Sequence, residues 1–88
     1  MTIIFEQRFA KELRRLRDDK LLAKVKAIII ECKEAENLTG IRNLKKLRGY
    51  DTYYRIRAGD YRIGIECAGN QLIFTRILHR KEIYKNFP

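Results

Sequence analysis

Apolar positions in this chain recur first every three to four residues and later every second one, and the two periods predict different elements. Thr2–Phe5 is a short β-branched and apolar run, read as an edge strand. Phe9, Leu13 and Leu16 then recur at helical spacing through Gln7–Arg17, with Arg8, Lys11, Glu12, Arg14 and Arg15 on the remaining surface. Asp18-Asp19 closes that helix and caps the next, because a carboxylate accepts from free amide N–H groups and complements the helix dipole. A second helix is predicted over Lys20–Ala35, where Leu21, Leu22, Val25, Ile28, Ile29 and Cys32 form a stripe wide enough for both the first helix and a sheet. Asn37 and Gly40 end it, as residues tolerant of left-handed backbone do, and the short gap between the helices makes them an antiparallel hairpin.

Asn43–Gly49 follows, and its pattern fits a short helix and an extended loop equally. Strands are predicted at Tyr53–Ala58, Tyr61–Cys67 and Gln71–His79, joined by tight turns at Gly59-Asp60 and Gly69-Asn70. Gly as the first central residue suits a type II′ turn, which pairs Ala58 with Tyr61 and sets Arg57 directly opposite Arg62. Tyr54, Ile56, Ala58, Tyr61, Ile63, Ile65 and Cys67 then share a core face, and Arg55, Arg57 and Arg62 crowd the other. Like charges set opposite each other cost a few tenths to about 1 kcal/mol, so the crowding points to an anion. In the last strand Leu72, Phe74 and Leu78 fit the core face while Arg76 breaks the alternation, through a bulge or a side chain that snorkels at the sheet end. Lys81–Asn86 closes the chain with a helical turn. The expectation is one α+β domain over residues 1–88. In it an N-terminal strand and a helix hairpin cover one face of a mainly antiparallel sheet, and the other face is open and basic.

Charge sharpens that picture. Of the net +9, residues 1–41 hold nine basic and seven acidic residues, whereas residues 42–88 hold eleven basic and four acidic. A basic second half has nucleic acid as its default partner. The longest apolar run, Ala27–Ile30, is far too short to span a membrane, and no signal peptide is visible, so a cytoplasmic protein is expected. Cys32 and Cys67 fall on apolar faces and are read as core residues, and a single His gives no zinc cluster.

Three stretches together resemble the signature blocks of the RelE/ParE toxins of bacterial type II toxin–antitoxin modules. They are Leu44-Lys45-Lys46-Leu47-Arg48-Gly49, Tyr54-Arg55-Ile56-Arg57-Ala58-Gly59-Asp60-Tyr61-Arg62-Ile63 and His79-Arg80-Lys81-Glu82-Ile83-Tyr84. The resemblance covers nearly the whole chain and implies a RelE-like fold of microbial-ribonuclease type. It implies a toxin that cuts mRNA in the A site of the 70S ribosome without a metal or other cofactor, neutralised by a cognate antitoxin. The ParE-like branch implies instead a DNA gyrase inhibitor without nuclease activity. By the same resemblance the basic pair flanking an aliphatic residue is Arg55 and Arg57, the next Arg is Arg62, the Arg of the His-Arg motif is Arg80, and the aromatic residue after it is Tyr84. Two departures stand out: the flanking pair is Arg rather than Lys, and Leu78 precedes His79 where Gly is common.

The chemistry so implied is attack of the RNA 2′-hydroxyl on the adjacent phosphate, giving a 2′,3′-cyclic phosphate. It needs a base, charge stabilisation at the phosphorane and an acid for the leaving 5′-oxygen. Arg55, Arg57 and Arg62 suit stabilisation, because a guanidinium is a planar fork matched to phosphate oxygens and stays protonated. The base has to come from Tyr84, His79 or Glu66; Tyr84 is expected as base or substrate-positioning group, and Arg80 as leaving-group acid or phosphate clamp. His79 has the best intrinsic pKa and would share the arginine face if the alternation held. Lys45, Lys46 and Arg48 are expected to steer RNA.

Overall fold

A computed structural model describes Met1–Pro88. Its elements in order are β1 (Thr2–Phe5), α1 (Gln7–Arg14), α2 (Asp19–Glu34), a 3-10 turn (Leu38–Gly40), β2 (Leu44–Lys46), β3 (Tyr53–Ala58), β4 (Tyr61–Ala68), β5 (Gln71–His79) and α3 (Ile83–Asn86). One sheet runs β1-β5-β4-β3-β2, with β1 parallel to β5 and every other pair antiparallel. The expected α+β class and helix hairpin are present. No helix is long and apolar enough to cross a membrane.

The two longer helices, α1 and α2, lie on one sheet face. Phe9 of α1 and Leu21, Val25 and Cys32 of α2 join Ile56, Ile63, Ile65 and Phe74 in a single buried cluster. The Phe9 and Phe74 rings meet edge-on at 5.4 Å. α1 stops three residues early, at Arg14, because the amides of Arg15 and Leu16 turn back to the carbonyls of Glu12 and Leu13. Asp18 then caps α2, its carboxylate accepting from Leu21 N at 3.1 Å. α2 does not end on left-handed residues: Ala35 is extended, and Asn37 instead caps the 3-10 turn. Cys32 is fully buried and burial, reinforced by Glu31, pushes its thiol up to about 11; Cys67 is also raised by burial.

Three features depart from the simple alternation. Leu44–Lys46 is a fifth strand, pairing Leu44 with Ile56, Lys45 with Arg55 and Lys46 with Tyr54. Within β5 the partners jump from Gly64–Arg76 to Ile65–Phe74, so Thr75 is an extra residue. Ile77, not Leu78, therefore enters the main core, while Leu78 and Arg76 turn to the opposite face. The Arg76 guanidinium is held by the Glu12 carboxylate at 2.7 Å and donates to Asn86 O at 2.9 Å, and Glu12 also accepts from Ile77 N at 3.0 Å. This one carboxylate thus satisfies a β5 amide beyond the end of β1 and fixes the residue that broke the pattern.

Nor is the second face wholly open. Leu47, Ile83 and Phe87 form a smaller buried cluster there, flanked by Tyr53 and Leu78. The Phe87 ring lies against Gly64, where a Cβ would stand only 2.8 Å from three ring carbons. Gly64 is needed for that close approach. The basic region is thereby confined to the hairpin end of the sheet.

Candidate active site

The Gly59-Asp60 turn builds the site. Gly59 has φ +60 and Asp60 is not left-handed, as a type II′ turn requires, and Arg57 pairs with Arg62. Lys45 joins them from β2, opposite Arg55. Each guanidinium is anchored by the chain. Arg62 donates to the carbonyls of Gly59 and Tyr61, both at 2.9 Å. Arg55 donates from Nε to Tyr84 Oη at 3.2 Å and from Nη1 to Asn43 O at 3.3 Å. Arg57 reaches Asn43 Oδ1 at 3.5 Å, and its own amide bonds Asn43 O at 3.2 Å.

None of these cations has a carboxylate partner: Arg42–Glu31 and Arg76–Glu12 are the chain's two ion pairs. Burial first, then repulsion from Arg55, Arg57 and Arg80, pulls the Arg62 pKa below the ordinary guanidinium value, with Tyr84 opposing. An arginine held this way is short of a counter-anion. A phosphate would meet donors already aimed and partly dehydrated.

Tyr84 comes from α3. Ile83 is fully buried and Phe87 is nearly so, which turns the intervening Tyr84 outward, 62% exposed, over Arg55. Arg80 is tied to the hairpin through its amide, which bonds Asp60 O at 2.8 Å, and it lines one cleft with Arg57 and Arg62.

The remaining expected residues divide. His79 pairs with Tyr61 in register and meets its ring edge-on at 5.6 Å, on the helix-covered side of the sheet. The Thr75 bulge sends it there, so His79 does not share the arginine face. Its Nδ1 accepts from Lys81 N at 3.2 Å. Glu66 is on the arginine side but four residues along β4 from Arg62, about 13 Å at strand rise. Gly64 and its Phe87 cover lie between them. Lys46 faces away from Lys45, and Arg48 is exposed in the loop beyond β2. Tyr84 is thus the proton-bearing candidate at the arginines.

Sequence reading missed Asn43. It has the chain's one positive φ outside glycine, +61, and contacts both Arg55 and Arg57. Asn tolerates this conformation, and its place just before the basic β2 was the available signal. No group of three or more His, Cys, Asp or Glu side chains with metal-binding geometry occurs.

Comparison with known proteins bears on this arrangement. The family model described as "ParE toxin of type II toxin-antitoxin system, parDE" matches residues 3–84. The toxin RelE3 of Methanocaldococcus jannaschii is 44% identical over 89 aligned positions, covering the whole of both chains. A crystal structure of a RelB-RelE antitoxin-toxin complex from Methanococcus jannaschii superposes with a TM-score of 0.81 at 44% identity, covering 97% of this chain and 99% of that one. The intact RelBE complex of E. coli, at 24% identity and a TM-score of 0.67 over 86% of this chain and 92% of that one, shares the fold.

Proposed function

The chain belongs to the RelE/ParE family of toxins of type II toxin–antitoxin systems, and from that premise we propose that it is an endoribonuclease that cuts mRNA at the arginine cleft. The carrying observation is the meeting of Arg55, Arg57, Arg62 and Tyr84 with no carboxylate pairing the arginines. A gyrase inhibitor has no need of a phenol aimed at an unpaired guanidinium.

In this reading Arg62 and Arg57 grip the non-bridging oxygens of the scissile phosphate. The 2′-oxygen forms a bond to phosphorus as the bond to the 5′-oxygen breaks. Tyr84, oriented by Arg55 Nε, takes the 2′-hydroxyl proton or positions that hydroxyl. Arg80 stabilises the departing 5′-oxygen, which takes its proton from water as the 2′-hydroxyl proton passes, through Tyr84 or directly, to water. Arg55 and Lys45 neutralise the charge gathering on the phosphorane. The products are a 2′,3′-cyclic phosphate and a 5′-hydroxyl. The ribosomal A site is the setting for this cut, with Lys46 and Arg48 steering RNA and a RelB-type antitoxin as the neutralising partner.

The second reading, gyrase inhibition, draws on the ParE description of the matching family. Inducing the protein in bacteria and mapping mRNA ends beside a DNA supercoiling assay separates the two. New mRNA ends with normal supercoiling are expected; intact mRNA with blocked gyrase would overturn the nuclease.

A further inference from the structure

The arginine patch does not stop at the sheet face. It continues round the hairpin tip into an open cleft of ≈ 670 Å³ between that tip and α2. Lys24 and Arg42 line the helix side of this cleft, and Arg57, Arg62 and Arg80 line the sheet side. The carboxylates in the wall are Glu31, which is engaged by Arg42 at 2.9 Å, and Asp60. Lys24 has no carboxylate within 4 Å.

Lys24 is coupled in space to the site through one residue. Its Nζ lies 3.6 Å from where a Cβ on Gly59 would stand, while Arg62 holds the Gly59 carbonyl at 2.9 Å. The Lys24 ammonium thus stands within ordinary contact range of the turn that positions Arg62. Gathering unpaired like charges round one tip is costly unless an anion completes them.

Resting on the phosphodiester reading of the arginine patch, we propose that the helix side of this cleft, facing the arginines, is a second phosphate subsite. In it Lys24, with Arg42 at the rim, binds the backbone phosphate next to the scissile one in the strand being cut. A single strand leaving Arg62 turns over Gly59 toward α2 rather than running along the sheet, where Phe87 and Tyr84 close the way. A lysine is suited to this task because it acts as a mobile point charge that holds a phosphate without fixing its orientation.

The test uses a single-stranded RNA whose riboses are all 2′-O-methyl, so that binding is read without cleavage, across a range of salt. Lys24→Gln is expected to weaken binding several-fold and to make the slope of log K against log[salt] shallower by about 0.7, the loss of one phosphate contact. KM for mRNA cut on programmed ribosomes should rise in parallel, with the melting temperature unchanged. Weakened binding of the methylated strand in a protein that cuts no RNA would retain the subsite and sink only the nuclease. An unchanged salt slope and KM in a protein that cuts RNA would overturn the subsite alone. So would a Lys24→Gln defect that appears only with ribosomes or only with the antitoxin.

Discussion

Gly64→Ala tests how the C-terminal segment holds Tyr84. The new Cβ would stand 2.8 Å from Cγ, Cδ1 and Cδ2 of Phe87, all on the face of the ring. Carbon–carbon contacts are comfortable at about 3.5–4.0 Å, so the ring must lift by about 1 Å. Overpacking of this kind costs about 1–3 kcal/mol. Burying a phenylalanine is worth about 1.5–3 kcal/mol, so the clash is comparable to the ring's whole contribution to docking. Undocking frees Ile83 and takes Tyr84 away from Arg55. Each 1.4 kcal/mol is about tenfold, so kcat/KM for RNA cleavage should fall by about 5- to 140-fold. Hydrogen exchange at Lys85, whose amide bonds Glu82 O, should quicken while Ile63 and Ile65 stay protected, since the main core lies on the other face. Phe87→Ala should also lower cleavage, and adding Gly64→Ala to it should cost little more, because the clashing ring is gone. Additive losses, or a Gly64→Ala protein with unchanged tail exchange, would refute the reasoning.

Other outcomes follow from the same geometry. Asn43→Val should lose about 1–2 kcal/mol in urea denaturation, because a β-branched residue is forced to φ +61, whereas Asn43→Gly should keep most of the stability but lower turnover by loosening Arg57. Equal stability of the two variants would contradict this. Glu12→Ala strands Arg76 and Ile77 N, and removing one partner of a pair this buried costs about 3 kcal/mol, a fall in melting temperature of more than about 10 °C. Glu12→Gln, which still accepts from Ile77 N, should fall less; calorimetry of the two variants decides. At pH 8 a thiol pushed from 9.0 to about 11 carries about 100-fold less thiolate, so iodoacetamide should label Cys67 first and Cys32 only as the chain unfolds. Native-state labelling of Cys32 at the rate of Cys67 would contradict its burial.

What the sequence made legible was local. A two-residue turn with Gly first determines which residues face each other, so the Arg57–Arg62 opposition could be read directly. The Thr75 bulge could not, because Ile77 and Leu78 are adjacent apolar residues and either would satisfy the core face. That single extra residue decided the face of His79, and with it which proton carrier stands at the arginines. β2 is three residues long, too short to show a period, and pairing with β3 rather than propensity makes it a strand. The glycine at 64 hinted at a close approach, but only the fold brings Phe87, twenty-three residues later, against it. The charge of the site was legible; its boundary, drawn by Phe87 and Asn43, depended on contacts distant in sequence.

The central claim is that this arginine cleft drives attack by a 2′-hydroxyl. Its most direct measurement is end-group analysis of an mRNA cut by the purified protein on programmed ribosomes, beside the same mRNA with one 2′-deoxyribose at the cut position and beside the Arg62→Ala protein. The account predicts a 2′,3′-cyclic phosphate end from the natural strand, no cut at the deoxy position and no cut by the folded Arg62→Ala variant. Cleavage at the deoxy position, or a 3′-hydroxyl end from the natural strand, would contradict it.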